Sequence, residues 1–120
     1  MKSIKVQRKE SLLKEIIPEV LSQMGDSRIR GLSVIDVICS RDGSDATVYL
    51  EKSYLNENEQ KQALKKLKQA TPYIQTQTLK STGWYKVPKL KFTFDSLLEQ
   101  ENRMEELFAK ISKGNNEKNN

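Results

Sequence analysis

Residues 64–80, LKKLKQATPYIQTQTLK, carry a lysine-rich amphipathic helical pattern with Pro72 in its middle. Proline has no amide proton for the carbonyl four residues back, and its ring collides with that carbonyl. The pattern therefore predicts two helices joined at a break rather than one. Asn56 with Glu59 is a capping-box pair at the start of the first. Its apolar face is Ala63, Leu64, Leu67 and Ala70, with Lys61, Lys65, Lys66 and Lys68 mostly elsewhere. Past the break, Ile74 to Leu79 continue a weaker pattern up to a turn at Gly83.

Around this jointed segment the chain alternates helix and strand signals. Leu13, Ile16, Ile17, Val20, Leu21 and Met24 recur at three- and four-residue spacing and predict a helix over 3–24. Pro18 should bend or restart it, and Gly25 is the expected stop. The runs GLSVIDVICS (31–40) and DATVYLEKS (45–53) read as strands, the second with Ala46, Val48 and Leu50 facing inward. RDGS between them carries the Asp-Gly pair of a tight hairpin, so the two should be antiparallel neighbours. A third strand is predicted over 87–94, with Pro88 at its start and Leu90, Phe92 and Phe94 opposite Lys89, Lys91 and Thr93. Ser96 with Glu99 caps a last helix whose stripe is Leu97, Met104, Leu107, Phe108 and Ile111. The result is one α+β domain over residues 1–112, followed by a polar tail, 113–120, expected to be disordered.

Charge is segregated along the chain. The net value is +5, yet residues 60–94 hold eight lysines and no acid, while residues 15–59 hold nine acids against four bases. Such segregation is how a polyanion-binding face appears in a sequence. Lysines coating a solvated face are the plainer reading, but 35 residues without a carboxylate weigh against it. Catalytic chemistry is poorly supplied. With no histidine, the chain lacks the commonest general acid–base group and the commonest zinc ligand. The lone Cys39 lies on an apolar strand and reads as a small buried hydrophobe. It also rules out an internal disulfide and suits a reducing cytoplasm. No apolar run is long enough for a membrane span, and the charged N-terminal stretch lacks a signal-peptide core. A binding module without a cofactor or metal is expected, not an enzyme.

The element order matches a type II KH-like domain, α-β-β-α-kink-α-β, with an additional C-terminal helix. KH domains bind single-stranded nucleic acid beside the junction of two helices. Several short signatures narrow the choice: Arg8 ahead of the first helical core, DSR at 26–28, VICSRDGSDATVY at 37–49, VPKLKFTFDS at 87–96, and Arg103-Met104. In that order they resemble the ribosome-binding factor A family over about residues 8–108. In that family the central helices meet at an Ala-x-Gly kink followed by an aromatic, Ile and often Arg. Here the positions read Ala70-Thr71-Pro72, then Tyr73, Ile74 and Gln75, so glycine has become proline and arginine glutamine.

The resemblance implies a cytoplasmic, monomeric assembly factor. Its partner would be the free small (30S) ribosomal subunit or its precursor, bound through 16S rRNA during late processing and cold adaptation. Arg8, Lys9, Lys61, Lys65, Lys68, Lys80, Lys86, Lys89 and Lys91 would supply the basic face. Ala70, Thr71, Pro72 and Gln75 would bring the kink close to RNA. Two other readings keep the same residues: a KH-like module for other RNA or single-stranded DNA, and a protein-interaction adaptor. Tyr73 and Ile74 read as core anchors, and Trp84 and Tyr85 as loop aromatics packed under their own turn.

Overall fold

Alternation along residues 45–51 decides the sheet. In a computed structural model describing residues 2–52 and 54–96, Ala46, Val48 and Leu50 are buried while the residues between them are half-exposed. This strand, β2 (Asp45–Glu51), is central, with β1 (Val34–Cys39) antiparallel on one side and β3 (Lys89–Asp95) parallel on the other. Cross-strand rows Cys39–Ala46–Leu90 and Val37–Val48–Phe92 line the face that the helices cover. On the opposite face the equivalent row is Ile38–Thr47–Lys91. All three strands are shorter than the sequence predicts, or shifted by one or two residues.

The β1–β2 connection is a four-residue loop, 41–44, rather than the tightest hairpin. Ser40 N–H donates to the Asp45 carbonyl (2.8 Å) and Gly43 N–H to the Ser40 carbonyl (2.9 Å). Gly43 sits at φ +76°, where a side chain would be strained. Asp42 ties the loop together, its Oδ1 accepting from the Ser40 hydroxyl, the Ser44 hydroxyl and the Ser44 N–H at 2.8–3.0 Å.

Helix α1 (Ile4–Ser22) starts on Ser3, whose hydroxyl accepts from Val6 N–H. It runs through Pro18 and ends with Gln23 as its cap, so Gly25 lies beyond the end and is not the stop. A one-turn helix the sequence reading lacked, α2 (Ser27–Arg30), follows, capped by the Asp26 carboxylate and anchored by buried Ile29. DSR at 26–28 encodes that cap.

The main correction concerns Pro72. Residues Glu57–Thr82 form one helix, α3, with Pro72 inside it, not two helices meeting at a break. A proline in a helix interior costs about 3 kcal/mol. Against this, Leu67 and Ile74, either side of Pro72, are both fully buried, each contributing roughly 1.5–3 kcal/mol. Thr78, also buried, keeps its hydroxyl satisfied on the Ile74 carbonyl (2.8 Å). Packing holds both halves on one core and the local penalty is overridden. The same logic carries α1 through Pro18, flanked by buried Leu13, Ile17 and Leu21. The predicted capping box is present, with Asn56 and Glu59 satisfying each other's backbone amides, and Gly83 ends α3 in the left-handed region.

Helices α1 and α3 pack against each other and on the sheet, α1 over β1 and α3 beside β3. The topology is that of a KH-like α+β domain. No helix among the described residues is long and apolar enough to cross a membrane. The predicted helix after Ser96 and the tail lie outside the described residues.

Candidate nucleic-acid interface

Where α3 passes the outer edge of β3, the two elements leave a groove of about 500 Å³. Leu64, Lys68, Thr71 and Pro72 line it from the helix, and Lys89, Leu90, Lys91 and Phe92 from the strand. The spacing is a direct product of the two periodicities. Positions 64, 68, 71 and 72 fall on one helical face. An edge strand presents both of its alternating rows to a groove that runs along it.

Five of the residues read from the sequence as RNA contacts therefore meet here: Lys68, Thr71, Pro72, Lys89 and Lys91. Lys68, Pro72, Lys89 and Lys91 are exposed and Thr71 is half-buried. The floor they surround is apolar, built from Leu64, Leu90 and half-buried Phe92. No ion pair among the described residues involves a lysine between 61 and 91. Thr71 donates its hydroxyl proton to the Leu67 carbonyl (2.7 Å), leaving its lone pairs as acceptors toward the groove. Ammonium groups at the rim suit phosphates, and an apolar floor suits the faces of unpaired bases.

The remaining candidates distribute differently. Lys61, Lys65, Lys80 and Lys86 are exposed but do not line the groove. Ala70 is half-buried and packs against the core cluster, which makes it a spacer of the helix rather than a contact surface. Gln75 reaches across to β3, its Nε2 donating to the Pro88 carbonyl at 3.5 Å. It positions the strand start against the helix. Arg8 lines a separate shallow groove on α1 with Ile4, Gln7, Ser11, Leu12 and Glu15. Lys9 stands over the Trp84 ring, its Nζ 5.7 Å from the centroid, a cation–π arrangement.

The aromatics divide in a way that sequence pattern does not settle. Ile74 is a core anchor, but its neighbour Tyr73 is 54% exposed. Trp84 packs against the core, whereas Tyr85 is fully exposed. Phe92, read as a core residue of β3, is also groove floor, and the sequence signal for this is only its place on an outer strand. Cys39 is buried, with its thiol pKa raised by burial and further by the Glu10 carboxylate, and is unsuited to nucleophilic chemistry.

A sequence model described as "Ribosome-binding factor A" matches residues 5–108, nearly the whole of this architecture. The chain belongs to the ribosome-binding factor A family. The ribosome-binding factor A of Campylobacter jejuni is 44% identical over 114 residues, 95% of each chain. Among solved structures, the crystal structure of ribosome-binding factor A from Thermus thermophilus superposes with a TM-score of 0.64. It is 27% identical, covering 73% of this chain and 92% of that one. A model of the Thermus thermophilus factor fitted into a cryo-electron microscopy map of a 30S–RbfA complex gives a TM-score of 0.59. Identity there is 28%, over 70% of this chain and 88% of that one.

Proposed function

We propose that this ribosome-binding factor A binds the free small ribosomal subunit or its precursor in the cytoplasm. It does so through 16S rRNA and assists late 16S rRNA processing, including at low temperature, as a monomer and without catalysis. The observation that carries the reading is the lysine-rimmed apolar groove at Lys68, Thr71, Pro72, Lys89 and Lys91. The Thermus thermophilus relative's place in a 30S complex supports the choice of partner. Lys61, Lys65, Lys80 and Lys86 extend the same basic surface, Arg8 and Lys9 add charge from α1, and Ala70 and Gln75 hold the groove walls in place.

Sucrose-gradient profiles of a strain lacking the protein test this, with probes for precursor 16S ends. Free small subunits and precursor 16S rRNA accumulate, more so in the cold, and the wild-type gene restores the profile. Normal profiles with mature 16S ends at both temperatures would sink the assignment.

A further inference from the structure

The groove has a second feature that RNA binding does not explain. Phe92 and Phe94 lie on the helix-covered face of β3, in register with fully buried Val48 and Leu50, yet both are only half-buried. Leu64 on α3 is half-buried as well. An apolar strip at the edge of a small domain is thus incompletely covered, and its flanks carry Lys68, Lys89 and Lys91. The described chain stops at Ser96, one residue past the end of β3. Directly beyond it comes a segment with matching chemistry.

On a helical projection of residues 97–112, Leu97, Met104, Leu107, Phe108 and Ile111 fall on one side, with Glu101 and Glu105 bordering them. The lengths match too. Along β3 from Ser96 back to Lys91 or Lys89 is about 17–23 Å, at about 3.3 Å per residue. Along a helix from Leu97 to Leu107, Phe108 and Ile111 is about 15–21 Å, at about 1.5 Å per residue. A helix folding back antiparallel to β3 brings its apolar cluster to the open groove and its carboxylates to the groove lysines.

We infer that in the free protein residues 97–112 dock as an amphipathic helix along the outer edge of β3, cover the groove, and compete with RNA for it. The competition rests on the function proposed above; the docking does not. RNA binding then displaces the segment, and the acids that shield Lys68, Lys89 and Lys91 exchange for phosphates. A docked segment lowers the apparent affinity by the fraction of molecules whose groove is open.

The test uses the full chain. Replacing Leu107 and Phe108 together by Asp shifts the backbone NMR signals of Lys68, Thr71 and Lys89–Phe92 and leaves those of the 41–44 loop in place. The same variant binds a short single-stranded oligouridine about five- to tenfold more tightly at low salt. In a chain otherwise unchanged, the pair Lys91→Cys and Phe108→Cys forms an intramolecular disulfide on mild oxidation, buried Cys39 staying out of the reaction. Shifts confined to another face, or a disulfide formed only between two chains, overturn the docking. Docking with unchanged RNA affinity overturns the competition. If both forms dock as expected and neither binds RNA, the function proposed above falls while the docking stands.

Discussion

The two outer strands of this sheet are finished in opposite ways. Along β1 the edge is closed from within the molecule. The Glu10 carboxylate of α1 accepts from the Cys39 N–H at 2.7 Å and pairs with Lys2, while Lys14 lies 3.7 Å from Asp36. Along β3 the apolar edge residues are half covered, and Lys89 and Lys91 have no ion-pair partner among the described residues. An unpaired strand edge is a template for unwanted association, and proteins blunt it with charge or cover it. Here one edge is satisfied by an internal carboxylate. The other is kept soluble by lysines and left to bind, so stability should reside at β1 and recognition at β3.

Reversing charge at the open edge gives the largest expected effect. With Lys68, Lys89 and Lys91 all changed to Glu, affinity for small subunits at low salt drops by about two orders of magnitude or more. The log–log salt slope becomes shallower by about 2, as expected for three lost single-strand phosphate contacts. The unfolding midpoint stays close to wild type, because these side chains are exposed and unpaired. Co-sedimentation across a salt series, with chemical denaturation alongside, reads both quantities. A variant that unfolds, or one that sediments normally at moderate salt, would break the division between the edges.

At the closed edge the expectation is reversed. Glu10→Ala removes the acceptor from Cys39 N–H and the partner from Lys2, costing about 1–3 kcal/mol. Subunit binding stays within about twofold of wild type, since Glu10 lines no part of the β3 groove. Cys39 supplies an independent reading. Its thiol is held in the protonated form first by burial and then by the Glu10 carboxylate, so the variant's thiol reacts faster with a thiol-directed reagent. Equal stability with and without Glu10 would mean that the β1 edge needs no closing.

How far this division was legible in the sequence depends on the range of the interactions involved. Alternation at Ala46, Val48 and Leu50, and the Asn56–Glu59 capping box, are local patterns, and they translate directly into β2 and the start of α3. The lysine run without acids likewise located the recognition surface. The helix through Pro72 was not legible, because the proline penalty is local while the burial of Leu67 and Ile74 on either side is tertiary. Nor was the Glu10–Cys39 bond, which spans 29 positions between a helix and a strand. Tyr73 follows the same rule: the helical pattern places it beside Ile74, but only the packing of α3 decides which of the two is buried.

The smallest expected effect lies at the β1–β2 loop, the end of the sheet where both edges begin. There Lys89 N–H donates to the Ser44 carbonyl at 2.9 Å, so the loop also holds the start of β3. Hydrogen bonds from the Ser44 backbone, then from the Ser44 and Ser40 hydroxyls, stabilise ionised Asp42 and lower its pKa from 3.8 to about 2. Because the folded value lies below the unfolded one, protons bind the unfolded chain more readily in this range. The contribution of Asp42 to stability is therefore complete above about pH 4 and fades as the pH falls through about 2. Asp42→Asn lacks this titration, so its denaturation midpoint lies slightly below wild type at pH 6, and the gap narrows towards pH 2. The carboxyl itself should titrate by NMR with a midpoint well below that of an exposed aspartate. A normal midpoint would show that the serines do not hold the loop, and that the start of β3 is positioned by Gln75 and the Pro88 carbonyl instead.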